Sequence, residues 1–285
     1  MGVSEARKAM IEGSALHCGD FVVCFIHKTV GQPPRKGGTG VLLQVADEFF
    51  LLTAEHVVSS YREGPSDRFL YLGGGLAEQS KAATEIESAG VLCRSDPHDI
   101  AVIRLSNDTV NMLRPDKQFL TLDCVDLHDP QAQGSEYLVL GFPTDPAWGI
   151  WNGTTREIQA TFLPFGSVPY PGTTSHLINY DPLIHFALHY PKEDIWDNFG
   201  NEASLPHPDG ISGSAIWRIR RKTTPMDKWV KQEISLVGIE HAFYSEARII
   251  KVTKIGYAIQ MIYAEFAHLR QMIDDAFPGE DWTAY

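Results

Sequence analysis

The sequence predicts an all-β protein, a barrel or sandwich, on three observations. Short strand-like runs recur along most of the chain, their connections are rich in Gly, Pro and Asp, and a firm helical period appears only near the C-terminus. The 285 residues, 44% apolar and 21% charged, suffice for one large domain or two small ones with a sizeable core.

Taken in order, residues 4–16 suit a short helix, within an N-terminal extension over 1–19. Strand-like runs follow at Phe21–Ile26, Gly40–Val45 and Phe49–Leu52, the last two forming a hairpin around Ala46, Asp47 and Glu48. Others lie at Phe69–Leu72, Gly90–Cys93 and Ile100–Leu105. A second set comprises Tyr137–Leu140, Ile184–Leu188, Ser214–Trp217, Ile234–Ile239 and Ile255–Ile259. Residues 143–208 read as long loops around one or two strands, and loops of that length are often functional. A helix over 262–276 places Phe266, Leu269, Met272 and Ile273 on one face before Pro278.

Charge narrows the partners. Twenty-four basic against 36 acidic residues leave a net charge of −12, which argues against nucleic acid or an anionic membrane. The one basic cluster, Arg218, Arg220, Arg221 and Lys222, reads as an exposed hairpin tip. No run reaches the roughly 18 apolar residues of a membrane span, and the N-terminus does not read as a signal core. Cys18, Cys24, Cys93 and Cys124 have neither CxxC nor zinc-like spacing, so free thiols in a reducing cytoplasm are expected. His185 and His189 share one face of a strand but lack further ligands, so no metal and no cofactor are expected. Gly73-Gly74-Gly75 lacks the rest of a phosphate loop and reads as a turn.

Three segments carry chemistry. Thr53-Ala54-Glu55-His56 ends an apolar strand in a histidine. His98-Asp99-Ile100-Ala101 puts an aspartate at the start of a buried strand. Gly210-Ile211-Ser212-Gly213 sets a serine between glycines ahead of another strand. Each alone is weak: such residues are more often a structural histidine, a cap and a tight turn. Together they supply a nucleophile, a base to deprotonate it, and a carboxylate to fix the imidazole tautomer.

On these segments the sequence resembles the trypsin-like, chymotrypsin-fold serine peptidases, nearer the intracellular bacterial and HtrA-like branch than the secreted digestive enzymes. Thr53–His56 is similar to Thr-Ala-Ala-His, Asp99–Ala101 to Asp-Ile/Leu-Ala, and Gly210–Gly213 to Gly-Asp/Asn-Ser-Gly. Gly38–Val41, Gly141–Pro143, Val237–Ile239 and Gly256–Ile259 extend the likeness over about residues 20–275. The resemblance implies two six-stranded antiparallel β-barrels, over 20–125 and 126–285, with the active site between them. No segment resembling a PDZ domain follows. The sequence departs from the pattern at Glu55, at Ile211 in place of Asp or Asn, and at Ser214-Ala215 where Gly-Pro is usual.

The implied activity is a serine endopeptidase acting on proteins or peptides. His56, Asp99 and Ser212 would be catalytic, with the N–H groups of Gly210 and Ser212 as the oxyanion hole. Pro206, Asp209, Glu240 and His241 are candidates for substrate binding, and a protein activator or inhibitor is a further class of partner. The rival readings are a trypsin-like scaffold that binds without cutting, and an esterase with the same mechanism. An α/β-hydrolase fails, because its serine precedes the aspartate and histidine.

Overall fold

The computed structural model describes residues 11, 13–28, 35–62, 69–73, 84–85, 88–128, 130, 135–144, 151–152, 157–158, 162–190, 207–219 and 234–285. Helix α1 (residues 13–18) leads into an antiparallel sheet. Its strands are β1 (Val22–Lys28), β2 (Arg35–Val45), β3 (Glu48–Thr53), β4 (Phe69–Gly73), β5 (Thr84–Glu85), β6 (Ser88–Arg94) and β7 (Ile100–Leu105), in the order β5-β4-β1-β2-β3-β7-β6. Helix α2 (Glu55–Arg62) follows β3, and α3 (Asn107–Leu113) follows β7 with Ser106 as its N-cap.

The second antiparallel sheet uses β8 (Glu136–Gly141), β11 (Leu163–Ser167), β12 (His185–His189), β13 (Ala215–Ile219), β14 (Ile234–Tyr244) and β15 (Ile249–Lys254). Its order is β11-β8-β13-β14-β15-β12. A two-residue pair, β9 (Trp151–Asn152) and β10 (Glu157–Ile158), stands apart. The chain closes with α4 (Gly256–Glu265) and α5 (Arg270–Ala276).

Alternation along the strands explains the layering. In β1, Val23 and Phe25 face a core that the first sheet encloses with Leu42, Leu51, Ala101 and Ile103. Val22, Cys24 and Ile26 face the opposite side. There they join Leu138, Trp217 and Leu236 of the second sheet and Ile259 and Ile262 of α4. The second sheet has its own core in Tyr137, Val139, Phe165, Phe186, Ile216 and Val252. Each sheet therefore packs residues on both faces, which is why its strands read as continuous apolar runs. The connecting segment is stitched to both: Leu120 N–H donates to Leu42 O at 3.0 Å and Asp126 N–H to Leu236 O at 3.0 Å.

Several expectations change. The first sheet has seven strands, because short β5 extends it beyond β4, and the pairing in both sheets is open-ended among the described residues. Ile255–Ile259 is the start of α4, not a strand: every residue in it is buried, and such an apolar run has no period to distinguish the two. The last strand is instead Ile249–Lys254. The expected helix over 262–276 breaks at Phe266, and Arg270 reaches back to satisfy the freed carbonyls of Tyr263 (2.9 Å) and Ala264 (3.0 Å). Arg218 is no exposed tip residue but a buried partner of Asp126. Arg220, Arg221 and Lys222 lie outside the described residues, as do Gly74 and Gly75.

Candidate active site

β3 ends at Thr53, whose hydroxyl donates to Thr39 O on β2 at 2.7 Å, and α2 begins two residues later. His56 thus stands in the first helical turn, where backbone N–H groups have no partner within the helix. Asp99 supplies one: its Oδ1 accepts the His56 N–H at 3.0 Å while Oδ2 accepts from the ring Nδ1 at 2.8 Å. One carboxylate therefore holds both the backbone and the side chain of His56. With Nδ1 donating, Nε2 of the neutral ring is left as the acceptor, on a side chain 47% exposed.

Asp99 occupies the corner before β7 with φ at 45°, a left-handed conformation that Asp tolerates. The second sheet pins that corner. His185 Nε2 donates to Pro97 O at 2.7 Å, the Thr253 hydroxyl donates to His98 O, and the His98 ring packs on Tyr257. Asp96, the alternative carboxylate in sequence, accepts instead from Asn179.

The serine turn comes from the other sheet. Gly210 and Gly213 adopt φ of 87° and 88°, and the turn closes through Ile211 N–H to Pro208 O and Ser214 N–H to Ile211 O. Ile211 is buried in the second sheet's core and anchors the turn from within. Thr39 N–H donates to Ser212 O at 2.8 Å, and the Thr39 hydroxyl accepts from Phe142 N–H at 2.9 Å. A Cβ on Gly38 would stand 2.7 Å from Val57 and 3.2 Å from Ser212 O, so α2 and the serine turn meet over this glycine. Among the described residues, the N–H groups of Gly210 and Ser212 have no protein acceptor, and no hydrogen bond joins Ser212 Oγ to His56.

Charge is concentrated here. Burial pulls the His56 imidazole down, but Asp99, helped by Glu55, outweighs it and raises its pKa above 6.5. Burial pushes Asp99 up, yet the hydrogen bonds from His241 and His56 hold it well below the usual carboxylate range. Glu240 is 1% exposed and its Oε2 has no hydrogen-bond partner. Burial pushes it up to about 8, with His56 opposing and Asp99 adding to the rise.

Of the residues expected to bind substrate, Asp209 is exposed and pairs with His207 at 3.0 Å. Glu240 and His241, expected at the pocket entrance, are buried instead, and His241 Nδ1 lies 3.2 Å from Asp99 Oδ2. Pro206 lies outside the described residues. His185 is buried, its Nδ1 accepting from Asp181 N–H at 3.0 Å. Among the described residues no group of three or more ligands is placed to hold a metal ion. Tyr170 and Tyr180, in the 143–208 segment, pack around Leu177, Ala187 and Ile249.

Sequence comparison with protein families and with curated proteins finds no match. Similar chain paths occur among solved structures. A Glu endopeptidase in complex with MPD shares 15% identity over 87% of this chain and 91% of its own, with a TM-score of 0.48. A thermostable serine protease from an extremophilic microorganism shares 12% over 86% and 97%, with a TM-score of 0.46. The catalytically active tobacco etch virus protease, in complex with product, shares 12% over 88% and 80%, with a TM-score of 0.45.

Proposed function

We propose that the protein is a serine endopeptidase of the trypsin-like kind. The observation that carries this is the double contact of Asp99 with His56, which fixes the tautomer a general base needs, with a serine turn bonded to the neighbouring strand. Ser212 Oγ attacks a peptide carbonyl, His56 Nε2 takes its proton and returns it to the leaving amine, and Asp99 stabilises the imidazolium. The unpartnered N–H groups of Gly210 and Ser212 suit the developing oxyanion. Formation of the Ser212–His56 hydrogen bond is assigned to substrate binding, because such contacts often tighten only in the complex.

The lack of that bond in the free protein favours, as a second reading, a scaffold that binds peptides without cutting them. Treatment with an aryl fluorophosphonate separates the two. The enzyme carries the phosphonyl group on Ser212, read by peptide mass spectrometry, and cleaves an unfolded protein substrate. The scaffold carries none. Labelling with hydrolysis of small esters alone would make it an esterase.

A further inference from the structure

His241 is the extra residue of a β-bulge: Glu240 pairs with Val252 and Ala242 with Lys251, leaving no partner for the residue between. A bulge re-aims a side chain, and this one turns the imidazole toward the neighbouring sheet's corner. Its Nδ1 lies 3.2 Å from Asp99 Oδ2, the same oxygen that Nδ1 of His56 approaches at 2.8 Å. An ionised carboxylate only accepts, so both rings carry their hydrogen on Nδ1. The two imidazoles differ in everything else. The side chain of His56 is 47% exposed and that of His241 2%. His241 Nε2 is buried with no hydrogen-bond partner.

We propose that His241 is a positioning residue: a second imidazole that shares the carboxylate of Asp99 with His56, fixes its rotation, and draws off part of the negative charge that would stabilise a protonated His56. This rests on the peptidase reading for its catalytic consequence, though not for its geometry. Protonating His241 would leave a buried N–H at Nε2 with no acceptor, which is costly. The surroundings agree. Burial lowers its pKa, with Asp99 opposing and Lys251 and His56 reinforcing the fall. From β12, His185 faces it with ring centroids 5.4 Å apart. Burial drives that ring down to about 4, helped by His241 and opposed by its bond to Pro97. From β15 comes Lys251, whose ammonium donates to the carbonyls of Ile178 and Asn179. Among the described residues Asp99 is the one carboxylate bonded to the His241 ring, and adjacent Glu240 is itself largely protonated below about 8. His241 thus remains a neutral donor while His56 titrates.

The test compares His241→Phe, which keeps a ring and loses the donor, with His241→Asn, which keeps an N–H near the Nδ1 position. The His56 titration is followed by imidazole NMR, assigned with His56→Gln, and fluorophosphonate labelling is measured against pH. In His241→Phe the His56 midpoint should rise by about half a unit or more, since one donor has left its counter-ion. Labelling at pH 6 should slow about tenfold, with one charge-assisted hydrogen bond lost. His241→Asn should restore both towards wild type. A folded His241→Phe protein with an unchanged His56 midpoint would overturn the proposal. Should that variant not fold, the wild-type spectrum decides: hydrogen on Nδ1 of His241 supports the proposal, and hydrogen on Nε2 overturns it. Absence of labelling in the wild type would sink the peptidase reading, while the NMR comparison still decides the role of His241.

Discussion

The carbonyl of Ser212 accepts a hydrogen bond from the Thr39 N–H at 2.8 Å, so the serine turn of one sheet is docked on a strand of the other. Gly213 permits that approach. A Cβ there would fall 1.9 Å from Thr39 O and 2.3 Å from Thr53 Oγ1, on a residue already at φ 88°. Gly213→Ala should therefore destabilise the protein by more than about 2 kcal/mol, through backbone collision and positive-φ strain together. A urea midpoint equal to wild type would show that the turn can retreat from β2.

Ser212→Ala removes one oxygen and leaves the bonds of the turn intact, since they are made by the backbone. Its melting temperature should stay close to wild type while kcat falls on the order of 10⁴-fold or more. Asp99→Asn should lose a comparable factor by destroying the tautomer control of His56, and should also lower stability, because two rings and one backbone N–H rely on that carboxylate. Single-turnover assays beside thermal melts distinguish the two effects.

If the proposed mechanism holds, activity should rise with pH through a midpoint above 6.5, the ordinary imidazole value, because only a neutral His56 could accept the serine proton and Asp99 raises its pKa. The stability linkage has the opposite sense. A raised histidine pKa stabilises the fold fully below the unfolded value, and that stabilisation is lost as pH rises through the folded one. The ion pair's contribution therefore fades over the range where activity appears. A pH profile of labelling flat from pH 5 to 8 would exclude a histidine base.

Glu240 shows a different dependence. Its pKa of about 8 in the fold exceeds the ordinary 4.5, so the folded state holds a proton that the unfolded chain gives up, and stability declines as pH rises from about 4.5 to 8. Glu240→Gln mimics the protonated acid. It should match wild type in urea melts near pH 5 and exceed it near pH 9. Equal stabilities at both pH values would mean that folding does not raise this carboxyl's pKa.

The strands were legible because both faces of most of them are apolar: Val22–Ile26, Phe49–Leu52 and Ile100–Leu105 announce themselves by composition. The same property hid α4, whose opening turn is buried all round. His56, Asp99 and Ser212 were selected by local motif and resemblance; the structure brings the first two into contact and bonds the turn that carries the third to Thr39 of β2. His241 as a partner of Asp99 was not legible. Its orientation depends on a bulge, a mismatch between β14 and β15 that exists only once they pair. Nor was the burial of Glu240 beside it legible, since carboxylates are rarely buried.

The bond from Thr39 to Ser212, with those from His185 and Thr253 to the Pro97–His98 corner, has a consequence for how the protein loses function. His56, on the helix after β3, and Ser212, in the turn before β13, follow different sheets, and the contacts that position one sheet's groups are made by the other. On the proposed function, neither half would be competent while its neighbour is disordered. The site would then act as a coincidence detector for complete folding. During unfolding, fluorophosphonate reactivity and near-ultraviolet circular dichroism should vanish in one transition, and on refolding a nascent half-molecule would be proteolytically silent until the whole is built.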